Sequence, residues 1–220
     1  MRVESLYGGL KKLGKVAAVV LLWSAPLAAE PQTVVAMGDS LTQGYGLAPD
    51  DGFVAQMQRW LDRQGAGVRL TNAGVSGDTT AGGAARIDWT LAEAPDAMIV
   101  TLGANDMLRG LDPAEARRNL ATILAAAQGR GIPVLLVGIE AAGNYGPAYK
   151  AQFEAIYGDL AQQFAVLHSD NFFAGLGSSD PAEVSALMQA DGIHPNAEGV
   201  ARIVEALGPD VLALIDSIGG

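Results

Sequence analysis

The feature that most constrains the fold is a regular alternation of short apolar runs with longer amphipathic stretches. The apolar runs have the length of β-strands and cover residues 33–37, 68–71, 97–102, 133–139 and 165–168. The longer stretches have helical length and cover residues 52–64, 79–93, 113–128, 147–164 and 197–207, the last continuing over 211–218. Pro113 and Pro147 stand in the first turn of their predicted helices, where proline is tolerated.

This alternation predicts an α/β fold. Strands that are apolar on both faces are buried on both faces, which requires helices on both sides of a parallel sheet. Right-handed crossovers then give a three-layer α/β/α domain with a five-stranded parallel sheet. Ligands of such sheets bind outside the carboxyl ends of the strands, near the point where the strand order reverses. The residues that follow each apolar run are therefore the ones to examine for function.

The first 29 residues differ in composition from the rest. Basic residues precede an apolar run over 16–23, and small residues follow at Ala25, Ala28 and Ala29. This order is typical of a secretory signal peptide with cleavage near Ala28 or Ala29. An uncleaved anchor is the alternative, but residues 16–29 contain a proline and fall short of the ~20 residues that span a bilayer. We predict a signal peptide over 1–29, one domain over 30–220, and a periplasmic or secreted protein.

Charge and cysteine content exclude several classes of function. The formal net charge is −10, and the loss of four basic and one acidic residue with 1–29 makes it −13. Nucleic-acid binding needs clustered Lys and Arg, so nucleic acid is not expected as a partner, and anionic membrane surfaces are disfavoured for the same reason. We expect no stable membrane insertion after signal cleavage. The chain has no cysteine, which excludes disulfides, thiolate nucleophiles and cysteine-ligated zinc. A monomer is expected, since no coiled-coil pattern or exposed apolar strand stands out.

Two histidines are the only side chains whose unperturbed titration lies near neutral pH. His168 ends a predicted strand, where we expect a structural histidine with satisfied hydrogen bonds. His194 follows Asp191 by three residues in a turn that contains a glycine, and Pro195 is expected to begin the next helix. This spacing lets the carboxylate hold one ring nitrogen while the other stays free as a base. The residues alone leave a second interpretation open, in which Asp191 caps a turn and the histidine is idle.

Ser40 comes directly after the first apolar run. A serine hydroxyl is a weak nucleophile until a base removes its proton, and His194 is the candidate base. A helix cap is the alternative role for Ser40, whereas a phosphate cradle is disfavoured because no Walker pattern and no basic cluster occur. Acyl transfer also needs donors to a developing oxyanion, and the Ser40 amide, the Gly77 amide and the Asn105 side chain follow successive strands. Gly77 lets a backbone donor approach closely, while Asn105 taken alone would be an ordinary turn residue.

These residues stand in four motifs that resemble the GDSL family of SGNH hydrolases. The motifs are GDSL at 38–41, VSGDT at 75–79, GAND at 103–106 and DGIHPN at 191–196, each after its own strand. Similarity extends to the bacterial arylesterase, acyl-CoA thioesterase and lysophospholipase branch through residues 108–110, 142–146 and 149–164. Two departures are Ala104, where close relatives often carry glycine, and residues 169–189, which match poorly.

The resemblance implies an SGNH hydrolase, flavodoxin-like fold and assigns roles by motif position. Ser40 is the nucleophile, His194 the base and Asp191 its orienting acid, while Gly77 and Asn105 join the Ser40 amide in the oxyanion hole. It also implies that the loop over 140–146 lines the acyl pocket. The predicted function is hydrolysis of small-molecule acyl esters and thioesters, of the arylesterase or acyl-CoA thioesterase type, through an acyl-enzyme on Ser40 and without a cofactor or metal. The alternatives are a lysophospholipase or carbohydrate deacetylase on the same scaffold, and a binding protein without turnover.

Overall fold

The computed structural model describes residues 31–177 and 181–219, so the predicted signal peptide lies outside the described residues. In this part of the chain five strands form one parallel sheet in the order β2-β1-β3-β4-β5. The strands are β1 (Gln32–Gly38), β2 (Val68–Gly74), β3 (Ala97–Thr101), β4 (Val134–Val137) and β5 (Leu167–Ser169). The predicted five-stranded parallel sheet is confirmed.

Helices cover both faces of this sheet. They are α1 (Ser40–Gln43), α2 (Phe53–Gln64), α3 (Thr80–Thr90), α4 (Ala104–Leu108), α5 (Pro113–Gln128), α6 (Pro147–Phe164), α7 (Pro181–Ala186) and α8 (Ala197–Asp216). The crossover to β2 runs along the sheet in the direction opposite to the crossovers that lead to β3, β4 and β5. Right-handed connections therefore place α2 on one face, where it packs against α8, and α3, α5 and α6 on the other, where α5 packs between its neighbours.

The strand order reverses between β1 and β3. These strands are neighbours, yet the chain leaves β1 toward β2 and leaves β3 toward β4. Gly38 at the end of β1 is in register with Thr101 at the end of β3, so the loops that follow them start at the same level. Every residue of β3 and β4 is buried, so these two strands lie within the core. The structure thus sets the loops that carry Ser40 and Asn105 side by side.

Several predicted boundaries are wrong for local reasons. β5 begins at Leu167 and not at 165, because Ala165 adopts the left-handed conformation (φ 52°) that ends α6. β4 ends at Val137 and not at 139. At Gly138 the chain passes so close to Asp170 that a Cβ would lie 2.2 Å from its carbonyl oxygen. The last helix continues as predicted, unbroken through Pro209.

Candidate active site

Ser40 is the first residue of α1, and only Asp39 separates it from Gly38, the last residue of β1. Asp39 is the helix cap, and its Oδ1 accepts the Leu41 N–H at 3.0 Å, so the capping role considered for Ser40 belongs to its neighbour. A Cβ at Gly38 would lie 2.0 Å from Thr42 Oγ1, which explains why glycine precedes this turn. The Ser40 side chain is left to face the groove outside the sheet.

Asp191 and His194 form a compact turn. Asp191 Oδ1 accepts the backbone N–H groups of Ile193 at 2.9 Å and His194 at 3.0 Å, while Oδ2 lies 2.6 Å from His194 Nδ1. These hydrogen bonds, led by the one from the imidazole, lower the pKa of Asp191 to about 2. Asp191 therefore caps the turn, as one interpretation of the sequence expected, and also holds the imidazole, as the other expected.

The serine and histidine motifs meet although they are far apart in sequence. His194 Nε2 lies 2.8 Å from Ser40 Oγ. Asp191, His194 and Ser40 are therefore joined by one continuous chain of hydrogen bonds. The prediction that Pro195 begins the next helix is wrong, because Asn196 caps α8 by accepting the Gly199 N–H, and the helix begins at Ala197.

Gly77 and Asn105 line the same groove as Ser40. Gly77 has φ 81°, a conformation that favours glycine, and its carbonyl accepts Arg109 Nη2 at 2.9 Å. Asn105 is the second residue of α4 and follows Gly103, where φ is 123° and a Cβ would lie 2.2 Å from the Tyr157 hydroxyl. The structure thus brings all five predicted site residues to one edge of the sheet.

Asp39 supports this edge in a way that sequence reasoning missed. Its side chain is buried, and Oδ2 accepts Asn105 Nδ2 at 3.2 Å. Burial raises the pKa of Asp39 to about 6, although the hydrogen bonds from Leu41 and Asn105 lower it in part. One carboxylate therefore caps the helix that carries Ser40 and also holds the amide of Asn105.

A second buried carboxylate ties the Gly77 loop to the Asn105 loop. Asp106 accepts the Thr80 N–H at 2.8 Å and the Thr80 hydroxyl at 2.6 Å. The Thr80 hydroxyl in turn accepts Asn119 Nδ2 at 3.1 Å. Nothing in the sequence pattern pointed to this contact, because Asp106 stood only as the fourth residue of a motif and Thr80 only as part of the helical stretch over 79–93.

Tyr45 and Gln189 hold the histidine turn against the serine loop. The Tyr45 ring lies 4.8 Å from the His194 ring, centroid to centroid. Gln189 Nε2 donates to the Tyr45 carbonyl at 2.8 Å and to the Pro195 carbonyl at 3.0 Å. Sequence reasoning identified neither residue, and no local signal marks them because the contacts join distant segments.

A groove of about 920 Å³ opens onto Ser40 and His194. Its walls are mostly apolar and include Leu41, Met107, Leu108, Ile139, Phe173, Leu176, Val184, Met188 and Ile193. Of the loop over 140–146, expected to line an acyl pocket, only Glu140 reaches the groove. That wall is formed instead by residues from the segment that matches relatives poorly, namely Phe173, Ala174, Leu176, Gly177, Val184 and Met188.

His168 lies apart from this groove, against a second cavity beside β5. Its Nδ1 is 3.5 Å from Asp170 Oδ1, and Nε2 is buried without a hydrogen-bond partner among the described residues. The prediction of a fully satisfied structural histidine is therefore wrong. Across the described residues, no three His, Asp or Glu side chains are grouped so that they could hold a metal ion.

Comparison with known proteins agrees with this geometry. The GDSL-like Lipase/Acylhydrolase family matches residues 36–202. The chain is 40% identical over 188 residues to esterase TesA of Pseudomonas aeruginosa, covering 85% of this chain and 91% of that protein. It is 32% identical over 191 residues to thioesterase 1/protease 1/lysophospholipase L1 of Escherichia coli, covering 86% and 88%. The crystal structure of TesA matches with a TM-score of 0.76 at 40% identity over 83% of this chain and 99% of that one. By sequence and by fold, the chain belongs to the GDSL-like lipase/acylhydrolase family.

Proposed function

We propose that this ester-hydrolysing enzyme cleaves carboxylic esters and thioesters through an acyl-enzyme on Ser40. The observation that carries the proposal is the chain of hydrogen bonds from Asp191 through His194 to Ser40, with distances of 2.6 and 2.8 Å. The names of its relatives, an esterase and a thioesterase/lysophospholipase, support this class of substrate. The apolar groove beside Ser40 offers room for the acyl chain.

In the first half of the reaction, His194 acts as the base. Because Nδ1 donates its proton to Asp191, Nε2 keeps a lone pair that accepts the proton of the Ser40 hydroxyl. The Ser40 oxygen forms a bond to the acyl carbon, and the carbonyl oxygen becomes an anion held by the amides of Ser40 and Gly77 and by Asn105 Nδ2. Collapse of this intermediate breaks the ester or thioester bond, and the imidazolium protonates the leaving group.

In the second half, water replaces the alcohol or thiol. His194 takes a proton from the water, which attacks the acyl carbon and forms a second tetrahedral anion in the same set of donors. The Ser40 oxygen then leaves and regains its proton from the imidazolium. The carboxylic acid is released, and the enzyme returns to its starting protonation state.

Two substitutions test these assignments. Ser40→Ala and His194→Ala are each expected to abolish hydrolysis of p-nitrophenyl acetate and butyrate, with loss of about 10⁴-fold or more in kcat and an unchanged fold by circular dichroism. Activity at the wild-type level in either variant would contradict the triad. A chelator is expected to leave the rate unchanged, whereas loss with EDTA would indicate a metallohydrolase.

Lysophospholipid hydrolysis is the second candidate. The apolar groove and the E. coli relative's name favour it over sugar deacetylation, since aliphatic side chains dominate the walls. A series of acyl esters of increasing chain length, measured beside a lysophospholipid and an acetylated sugar, separates these substrates. Preference for the acetylated sugar would reject both the ester and the lysophospholipid assignments.

We propose that the protein is exported and monomeric. The N-terminal pattern of basic, apolar and small residues supports export, and N-terminal sequencing of the secreted or periplasmic protein should find cleavage near Ala28 or Ala29. None of the helices that the structure describes has the length and apolar character of a membrane span. The free edge of β2 is closed by Gln58, whose side-chain amide bonds the Leu70 N–H at 2.7 Å and the Val68 carbonyl at 3.0 Å. The closed edge of β2 supports a monomer, and a sedimentation experiment on the exported protein tests this oligomeric state.

A further inference from the structure

The turn that carries Gly77 lies at the surface. Residues 75–77 are exposed, and the turn closes through a hydrogen bond from the Asp78 N–H to the Val75 carbonyl at 3.0 Å. The third residue, Gly77, has φ 81°, as in a type II turn. The Val75 N–H donates to the Gly38 carbonyl at 3.0 Å. Hydrogen bonds, and not core packing, therefore decide where the Gly77 amide points.

Arg86 joins this turn to the segment that carries the serine. Its Nε donates to Asp78 Oδ2 at 2.7 Å, and its Nη2 donates to the Gly38 carbonyl at 2.9 Å. Asp78 directly follows Gly77, and Gly38 stands two residues before Ser40. One guanidinium thus links two segments that each supply a backbone amide of the proposed oxyanion hole.

The pair of Arg86 and Asp78 is largely shielded from solvent. The two side chains are 17% and 16% exposed. A Cβ at Gly82, in the first turn of α3, would lie 2.2 Å from Asp78 Oδ1. Glycine disfavours a helix relative to alanine, but alanine at this position would displace the carboxylate that Arg86 binds. The sequence of α3 therefore leaves room for this contact.

A second arginine contacts the same turn but is a weaker constraint. Arg109 Nη2 donates to the Gly77 carbonyl at 2.9 Å, yet Arg109 is exposed. Water, salt and side-chain entropy weaken such a surface contact. Arg86 is mostly buried and binds two acceptors in the fixed fork of a guanidinium, which makes its hydrogen bonds stronger and more directional.

Arg86 lies outside the substrate groove. It borders a separate cavity of about 320 Å³, whose lining also includes Val75 and Trp89. From the same turn, Ser76 and Gly77 line the groove that opens onto the serine. Arg86 can therefore act on the reaction only through the backbone that it holds.

We propose that Arg86 is a positioning residue of the oxyanion hole, which holds the Ser40 and Gly77 amides at the spacing that the tetrahedral anion requires. The inference rests on the proposed function. The third donor, Asn105, is held separately by Asp39. A displacement of about 1 Å in such a group can lower a rate about 10²-fold. Because these donors act on the transition state, loss of Arg86 should lower kcat and leave KM nearly unchanged.

Arg86→Lys tests this role in the complete mature protein. Lysine keeps the positive charge beside Asp78, but one ammonium group does not reproduce the fork to two acceptors. We expect kcat for p-nitrophenyl butyrate to fall about 10- to 100-fold, with KM changed by less than about twofold. The acetate ester should lose the same factor, since the oxyanion is common to both acyl groups. A residue that only shaped the groove would give losses that depend on chain length.

A transition-state analogue separates positioning from a merely structural role. When butaneboronic acid binds, the Ser40 oxygen bonds to boron, its proton passes to His194, and a boronate oxygen takes the place of the oxyanion. The inhibition constant of this compound should rise in Arg86→Lys by about the factor by which kcat/KM falls. A substitution that only lowered the fraction of folded enzyme would lower the apparent kcat and leave the inhibition constant unchanged.

Two further variants complete the test. Asp78→Asn keeps an oxygen for Arg86 Nε without the charge, so we expect kcat to fall about three- to tenfold with KM unchanged. It decides the question if Arg86→Lys does not fold. Arg130→Lys is the matched control, because Arg130 pairs with Asp88 at 2.8 Å near the far end of α3. The control should retain the wild-type kcat and inhibition constant.

The outcomes separate this inference from the proposed function. If the wild-type enzyme hydrolyses neither ester, the proposed function fails. If it hydrolyses both, and Arg86→Lys and Asp78→Asn keep the wild-type kcat and boronate inhibition, the positioning role is wrong while the mechanism stands. A loss confined to KM, a loss that varies with acyl length, or an equal loss in Arg130→Lys would also overturn the role of Arg86.

Discussion

The two sides of the candidate active site are held in different ways. On the Ser40 side the supporting acids belong to the protein interior, since Asp39 and Asp106 are each 1% exposed. On the His194 side the support is a surface turn, in which the Asp191 side chain is 37% exposed. Burial raises the pKa of Asp39 to about 6, whereas hydrogen bonds lower that of Asp191 to about 2. At neutral pH the ionised Asp39 carboxylate therefore lowers the free energy of unfolding, whereas the ionised Asp191 carboxylate raises it.

The largest expected effect is on the His194 side. Asp191→Asn keeps an oxygen for the turn amides but presents an NH₂ group to His194 Nδ1, which favours the wrong imidazole tautomer. We expect kcat to fall by about 10³–10⁴ and the melting temperature above pH 4 to fall as well, because the stabilisation by this carboxylate is lost. Steady-state kinetics with p-nitrophenyl butyrate, beside thermal unfolding, measure both quantities.

The chain offers a matched control for that substitution. Asp170 also lies beside a histidine, His168, but away from the groove. Asp170→Asn is expected to change hydrolysis of the neutral ester by less than about twofold. Similar losses in the two variants would show that proximity of an aspartate to a histidine, and not the contact with Ser40, accounts for the effect.

On the Ser40 side, Asn105→Ala should have the next largest effect. It removes a proposed oxyanion donor and leaves the buried Asp39 without one of its hydrogen bonds. We expect kcat to fall by about 10²–10³ with a smaller change in KM, because the donor acts on the transition state. A loss confined to KM would instead assign Asn105 to ground-state binding.

A pH-dependent difference in stability is expected for Asp39→Asn. Well below pH 4 the Asp39 carboxyl is protonated in the folded and the unfolded chain, whereas well above pH 6 it is ionised in both and its burial disfavours the folded state. Relative to wild type, the variant should therefore gain roughly 2 kcal/mol of unfolding free energy between pH 4 and pH 7. Urea unfolding at the two pH values measures this gain.

The substitution at Asp191 should change stability with pH in the opposite sense. Its pKa is lowered on folding, so its stabilisation is complete above pH 4 and is lost as the pH falls toward 2. Asp191→Asn should therefore lose stability relative to wild type as the pH rises over that range. Parallel pH profiles for the two variants would refute the contrast between the two sides.

The smallest expected effect concerns the contact that joins the two sides. Tyr45→Leu removes the ring that lies 4.8 Å from the His194 ring, and we expect kcat/KM to fall about two- to fivefold. Tyr45→Phe keeps the ring and should retain wild-type activity. Equal losses in both variants would assign the effect to the hydroxyl group and not to the ring.

The sequence predicted the parts of this site that depend on local order. Asp191 and His194 are three residues apart, and the apolar runs placed Ser40, Gly77 and Asn105 after strands of one parallel sheet. The buried supports escaped prediction, because Asp39 meets Asn105 across 66 residues and Thr80 meets Asp106 across 26. Such contacts are set by tertiary packing and leave no periodic signal.

The fold, like the site, was predictable where it depends on local sequence order. The pattern predicted the strands and main helices in their order along the chain, and α5 and α6 have the predicted bounds. The short helices α1 and α4 were missed, since four or five residues are too few to show a helical period. The groove wall near Phe173 was missed because its residues are apolar without a regular spacing.

The central claim is that Ser40 is activated by His194, and covalent labelling tests it most directly. Incubation with a fluorophosphonate, followed by peptide mass spectrometry, is expected to find one adduct per chain, on Ser40, with hydrolysis lost in proportion to labelling. Labelling should fall to background in His194→Ala. An adduct on another residue of the active enzyme, or full activity after Ser40 is labelled, would contradict the account.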